Sequence, residues 1–379
     1  MKILILSITA GQGHNQTAFA MAEYIRSQGV ECAVLDALEY VTPLLSESVA
    51  KGYLMSTKYS PSLYGGLYRM SEKRDPDNPS NPFTIITNSI LCKKLINYIF
   101  QNMPDVIVCT HVYSAQLMSY INRKIIKTEK KRFKTVGIIT DFTVHPYWED
   151  TDLDFYVTAS ELLQNQAAKK GISGNKLKPL GIPIHPKFAE KTDKAQARNI
   201  LGLRDIKTVL VMSGSMGYGK VTKIIKELDR CGLDFQIVSV CGSNKRLKRN
   251  IDKMEFLKPI YNFGFVNNVD VFMDAADCII TKPGGLTTSE ALAKSLPVIM
   301  INPIPGQEDR NVEFLLNNGA AIKISSTFPT DEAIYHLFSG EGREESLKTA
   351  ARKLGKPNSS KDFGDFIIKF AGEKYDRYY

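Results

Sequence analysis

Glycines, hydroxyls and ionisable side chains gather where apolar runs end. In Thr281–Asn311, TKPGGLTTSEALAKSLPVIMINPIPGQEDRN, the run Cys278-Ile279-Ile280 opens onto Gly284 and Gly285. Adjacent glycines let backbone N–H groups approach an anion, and a helix starting there adds the positive end of its dipole. Thr287, Thr288 and Ser289 add hydroxyl donors. Glu290, in the next turn, supplies a carboxylate able to accept from vicinal ribose hydroxyls. The following apolar run ends in Gly306-Gln307-Glu308-Asp309, whose amide and acid groups suit the hydroxyls of a sugar. Helix capping by Thr and Ser accounts for one such turn, but not for a glycine pair and GQED on consecutive strands.

The segment Ser7–Ala18, SITAGQGHNQTA, brings Gly11 and Gly13 to another turn before a helix. The glycine pattern departs from GxGxxG, with Gln16 in the third position, so a dinucleotide fold is weakly supported. His14 falls in the first helical turn, where the dipole disfavours an imidazolium and leaves a neutral ring able to accept a proton. The plainer alternative is a helix-start histidine bonded to nearby backbone. Met212–Val221, MSGSMGYGKV, contains GxxxxGK from Gly214 to Lys220, but Val221 stands where a P-loop carries its Mg²⁺-binding hydroxyl. What survives is a glycine turn suited to phosphate. In Asn262–Asp277, NFGFVNNVDVFMDAAD, Phe265 could stack on a planar base. Phosphate cradles, a diol acceptor and a sugar clamp together describe a nucleotide-sugar site.

The elements that must position these groups are short, continuously apolar runs rich in Ile and Val, as in strands covered on both faces. The expected strands are Lys2–Ser7, Glu31–Leu35, Val106–Thr110, Thr135–Thr140, Phe155–Thr158 and Leu177–Leu180, then Thr208–Met212, Phe235–Val240, Pro259–Phe263, Cys278–Thr281, Val298–Ile301 and Ala321–Ile324. Helix-like segments alternate with them, so the fold class is α/β, two doubly wound domains. The chain of 379 residues suits that count. The expected division is 1–188, 189–360 and a last amphipathic helix over 361–379 that crosses back to the first domain. The start MKILILSITAGQGH imitates a signal peptide and reads better as a buried strand.

Composition is that of a soluble globular protein, with 43% hydrophobic and 23% charged residues. The cysteines show no CxxC pair and the histidines no HxxxH pattern, which points to reduced core thiols and no dedicated metal cage. The net charge of +9 is concentrated in Asn122–Lys134, NRKIIKTEKKRFK, and in Lys245–Arg249. Such runs are solvated faces or attract anionic lipid; no nucleic-acid module accompanies them. Pro43–Pro82 mixes tyrosines, Leu and Met with lysines, which fits a helical excursion or a membrane-docking surface.

The pieces GQGHNQTA, TDFTVHPYW, YVTAS, LGIPIHPKF, MSGSMG, GFVNNVDVFMDAADCIITKPGG and PGQE run in order over almost the whole chain. With them the sequence resembles the bacterial processive diacylglycerol glucosyltransferases and plant monogalactosyldiacylglycerol synthases. These are inverting enzymes with two facing Rossmann-like domains of GT-B type and an interdomain cleft. The resemblance implies a UDP-sugar donor, UDP-glucose or UDP-galactose, and diacylglycerol or glycosyl-diacylglycerol as acceptor. It implies no cofactor, no metal and no nucleic acid, and a cytoplasmic, peripheral place on an anionic inner membrane face. Carried over by motif, Gly214, Ser215, Met216, Gly284, Gly285, Leu286 and Thr287 line the diphosphate, Phe265 and Val266 flank uracil, Glu290 meets the ribose, and Gln307 and Glu308 hold the sugar. His14 is the implied base with Asp141 as second candidate, and Gly13, His145 and Trp148 lie near the acceptor. A lipid-linked muramyl-peptide N-acetylglucosaminyltransferase and a non-catalytic nucleotide-sugar sensor are the alternatives.

Overall fold

The computed structural model describes residues 1–9, 12–41, 90–129, 132–212, 214 and 221–373, with side chains omitted for 41, 90–92, 126–129 and 307. Pro43–Pro82, Ser215 and Met216 lie outside the described residues. The chain forms two compact units, one of Met1–Pro186, Ile304–Gln307 and Asn358–Tyr379, the other of Lys187–Pro303 and Glu308–Pro357.

The strands are β1 (Lys2–Ser7), β2 (Glu31–Asp36), β3 (Val106–Cys109), β4 (Lys134–Ile138), β5 (Phe155–Val157), β6 (Leu177–Lys178), β7 (Thr208–Met212), β8 (Gln236–Val240), β9 (Ile260–Phe263), β10 (Cys278–Thr281), β11 (Val298–Met300) and β12 (Ala321–Lys323). Each coincides with an expected run to within about two residues, the usual uncertainty of an element's end. They form one six-stranded sheet ordered β2-β1-β3-β4-β5-β6 and a second ordered β12-β11-β10-β7-β8-β9. Every pairing is parallel. All residues of β3, β7, β8 and β10 are buried, which is why these runs are apolar without alternation.

Both sheets reverse direction at an inner pair. β1 is followed by β2 on one side and β3 on the other; β7 is followed by β8 on one side and β10 on the other. Loops leaving the carboxyl ends of such a pair diverge and leave a crevice where ligands bind. The loops after β1 and β3, and those after β7 and β10, therefore border one crevice each within their own unit.

In the first unit, Ala18, Met21, Ala22 and Ile25 of the helix Gln12–Ser27 share a core with Phe363, Ile367 and Phe370 of the helix Ser359–Gly372. Lys134 Nζ donates to the carbonyls of Phe370 at 2.7 Å and Ala371 at 3.1 Å, using the unpaired acceptors of that helix's end. Arg132 is also buried, paired with Asp152 and Asp154. Two members of the basic run Asn122–Lys134 are thus spent inside the protein, against its reading as a wholly solvated or lipid-facing face. A charge run hides such residues because sequence does not show which of them meets a carbonyl or a carboxylate.

Candidate active site

In the first unit the network begins at the end of β1. The backbone N–H and hydroxyl of Thr9 donate to Asp36 Oδ2 at 2.7 and 2.6 Å, and Asn15 Nδ2 donates to Thr9 Oγ1 at 2.9 Å. These bonds tie the first turn of the helix Gln12–Ser27 to the ends of β1 and β2. Partly buried Gly13 and His14 lie in that turn. His14 Nδ1 stands 2.8 Å from the carbonyl oxygen of Thr110. A carbonyl can only accept, so Nδ1 carries the hydrogen and Nε2 carries the lone pair. Thr140 Oγ1, 3.1 Å from the same nitrogen, is a second acceptor for it. Burial lowers the His14 pKa from 6.5, with the Thr110 carbonyl opposing. Desolvation is the leading cause, and it favours the neutral ring.

His111, which the sequence motifs did not single out, lies two residues beyond the end of β3. Its ring meets that of His14 edge to face, with centroids 4.6 Å apart and planes at 79°. Its Nδ1 accepts the backbone N–H of Tyr113 at 3.1 Å, which places its own hydrogen on Nε2. Burial, then the charges that His14 and His145 would carry, push its pKa well below 6.5. His145 Nδ1 accepts from the N–H of Tyr147 at 3.2 Å, and burial beside Lys170 lowers its pKa to about 4. A histidine just after a buried strand at a switch point is the signal that could have found His111.

Asp141 lies in the bend just after Thr140 and is partly buried. Trp148 is only 4% exposed and packs edge to face against Tyr156, with centroids 6.0 Å apart. Gly137 in β4 makes room for it: a Cβ there would stand 2.7 Å from Trp148 Cζ3 and 2.8 Å from Leu153 Cδ1. The indole is part of the core of the first unit.

In the second unit, Gly214 takes φ +67° in the turn leaving β7, a conformation that favours glycine. After β10, the helix Gly285–Ala293 starts at Gly284 with no side-chain cap. Its first-turn N–H groups, on Gly285, Leu286 and Thr287, have no partner within the helix. The hydroxyls expected beside them are reduced in number. Ser289 Oγ donates to the carbonyl of Gly285 at 2.8 Å, and Thr288 Oγ1 is buried, leaving Thr287. Asn311 Nδ2 donates to the Pro283 carbonyl at 2.9 Å and holds the glycine turn against the helix Gln307–Asn317. Glu308 from that helix pairs with Lys282 at 3.2 Å and reaches within 3.9 Å of where a Cβ on Gly284 would sit. Asn311 and Lys282 were not among the expected residues. The side chain of Gln307, the helix's first residue, lies outside the described atoms.

Glu290 lies farther along the helix Gly285–Ala293. Burial raises its pKa to about 8, with Lys187 opposing and Asp270 reinforcing the shift. Lys187 and Asp270 are themselves paired at 3.4 Å. Phe265, 66% exposed, follows edge strand β9, and the adjacent Val266 is partly buried. Among the described residues, no group of three or more His, Cys, Asp or Glu side chains is placed to hold a metal ion.

The family model for monogalactosyldiacylglycerol (MGDG) synthase matches residues 14–184, and that for the glycosyltransferase family 28 C-terminal domain matches residues 208–362. The chain is 32% identical over 372 residues to the processive diacylglycerol beta-glucosyltransferase of Bacillus pumilus (strain SAFR-032), covering 97% of this chain and 94% of that relative. The chain belongs to the diacylglycerol glycosyltransferase family. A processive diacylglycerol beta-glucosyltransferase of Bacillus subtilis (strain 168) is 29% identical to this glycosyltransferase over 375 residues, with 97% of this chain and 95% of the relative covered. Among solved structures, Acinetobacter baumannii MurG is similar in fold, with a TM-score of 0.61 at 16% identity, covering 97% of this chain and 99% of that one. The glycosyltransferase thus has the GT-B type of fold, two parallel sheets with flanking helices, as its sequence resemblance implied.

Proposed function

We propose that this enzyme transfers a hexose from a UDP-sugar to diacylglycerol or glycosyl-diacylglycerol in one inverting, metal-independent displacement, with UDP-glucose favoured as donor over UDP-galactose. The observation that carries this reading is the tautomer of His14, whose Nδ1–H is directed to Thr110 and whose Nε2 is left with a lone pair. The acceptor's hydroxyl gives its proton to Nε2 as its oxygen bonds to C1 of the sugar, and the bond from C1 to the diphosphate breaks to release UDP. Asp141 is the next candidate for the base.

The leaving diphosphate is stabilised by the N–H groups of Gly285, Leu286 and Thr287, with the turn at Gly214, Ser215 and Met216 on the neighbouring strand end. Gly284 lets these groups come close. Glu290 accepts from the ribose, Phe265 and Val266 flank the uracil, and Gln307 and Glu308 hold the sugar. On the acceptor side the reading uses Gly13 and His145 beside His14. No described helix is long and apolar enough to cross a membrane. The enzyme works as a peripheral protein on the anionic inner face of the cell membrane.

The test is a His14→Ala variant with diacylglycerol vesicles and radiolabelled UDP-glucose, UDP-galactose and UDP-N-acetylglucosamine. Transfer falls by about 10²–10⁴-fold, while UDP binding measured by calorimetry stays intact. Near-normal turnover removes His14 from the mechanism. Transfer from UDP-N-acetylglucosamine alone supports the muramyl-peptide reading, and binding without product in the parent enzyme supports the sensor.

A further inference from the structure

Two imidazoles meet at the switch point of the first sheet, and their hydrogen bonds give them opposite polarity. The Thr110 carbonyl fixes the hydrogen of His14 on Nδ1 and leaves Nε2 an acceptor. The Tyr113 N–H fixes the lone pair of His111 on Nδ1 and leaves Nε2–H a donor. The rings touch, with centroids 4.6 Å apart. Among the described residues, the hydrogen bonds of both rings are made through Nδ1, so neither Nε2 is taken by a protein group. An acceptor beside a donor at this spacing matches a ligand that offers a hydroxyl hydrogen and, on the neighbouring carbon, an oxygen able only to accept.

We infer that His111 is the residue that reads the acceptor: its Nε2–H binds the oxygen on the carbon next to the reacting alcohol while that alcohol donates to His14. The ligand class is a primary alcohol with a vicinal ester or ether oxygen. Diacylglycerol fits, because its free hydroxyl neighbours an ester-bearing carbon. A simple long-chain alcohol supplies the hydroxyl but nothing for His111 to bind. The bond orients the nucleophile as well as selecting it, since an alcohol held at one point alone can turn its lone pair away from the sugar. His111 is a positioning and specificity-determining residue in this account, and the inference rests on the reading of His14 as base.

The experiment compares kcat/KM for dioleoylglycerol and for oleyl alcohol, each in phosphatidylcholine–phosphatidylglycerol vesicles with saturating donor, in the full-length enzyme. The parent prefers dioleoylglycerol. His111→Phe lowers the ratio of the two values by about three- to tenfold, the worth of one neutral hydrogen bond. His111→Asn lowers it too while keeping a side-chain oxygen able to accept the Tyr113 N–H, so the local turn survives. His111→Gln, which puts an amide N–H farther out, recovers part of the ratio. An unchanged ratio, whether both rates fall together or neither falls, overturns the inference. His14→Ala in the same assay separates the two readings: retained turnover on both acceptors sinks the base assignment, while the ratio still reports on His111.

Discussion

Replacing Thr140 with valine removes one oxygen and keeps the shape of the side chain. That oxygen lies 3.1 Å from His14 Nδ1, beside the Thr110 carbonyl oxygen at 2.8 Å. Both favour the imidazolium, because a hydrogen bond from a charged donor is worth about 1 kcal/mol more than one from a neutral donor. Burial already holds the His14 pKa below 6.5. Losing Thr140 Oγ1 lowers it further, because the hydroxyl oxygen holds the charged ring more strongly than the neutral one. The base must be neutral to act, so activity is lost as pH falls through its pKa. The acid limb of kcat/KM for the acceptor therefore moves to lower pH in Thr140→Val. On the plateau the base is weaker and held by one bond, and the rate falls by less than about tenfold.

The assay is initial-rate transfer to dioleoylglycerol vesicles between pH 5 and 8.5, about the range in which a histidine titrates. Saturating donor keeps the titration of Glu290 out of the profile. A limb that stays in place, or moves towards alkaline pH, refutes the argument. The Nδ1–H would then not be shared between the two oxygens, or the proton would go to another group, Asp141 first.

Two further outcomes follow from buried groups. The Glu290 carboxyl, pushed up to about 8, is protonated below that pH, and its ionised form is the better acceptor for two ribose hydroxyls; the KM for the UDP-sugar falls as pH rises from 6.5 to 9 in the parent and stays flat in Glu290→Gln. An acid whose folded pKa lies above its unfolded value of 4.5 loses stability as pH rises between the two, so Glu290→Gln melts higher than the parent at pH 8, and equal melting points contradict the burial argument. Gly137→Ala puts a Cβ 2.7 Å from Trp148 and 2.8 Å from Leu153, and urea unfolding shows a loss of about 1–3 kcal/mol; unchanged stability shows that the indole is not packed on β4.

What the sequence disclosed follows from what periodicity and chemistry can carry. Continuous Ile and Val runs such as Val209-Leu210-Val211 and Ile279-Ile280 mark strands buried on both faces, because no other placement satisfies them. His14 and Gly284-Gly285 were visible because each follows such a run at the start of a helix. His111 was not, since one histidine with no spaced partner carries no pattern; only the strand order β2-β1-β3 brings it to His14. Lys187 and Asp270 act on Glu290 from distant points of the chain, and no local rule connects them. The burial of Trp148 was not legible, because the glycine that makes room for it, Gly137, lies on another element.

The two switch points put opposite demands on the same topology. In the second sheet the helix Gly285–Ala293 has no side-chain cap at its start, which on the proposed reading leaves its N–H groups for the negative diphosphate. In the first sheet the proposed base must hold no proton before the reaction and tolerate one afterwards. A carboxylate on His14 Nδ1 would orient the ring equally well, but an opposite charge that close raises a pKa by about 1–3 units and would move the acid limit of activity to higher pH. A carbonyl and a hydroxyl orient the ring through the same Nδ1–H without that charge. Desolvation favours the neutral ring at rest, and on the proposed reading the two oxygens support the imidazolium once the alcohol has delivered its proton. On the proposed reading, neutral rather than charged partners at Nδ1 are what let His14 serve as a base near neutral pH.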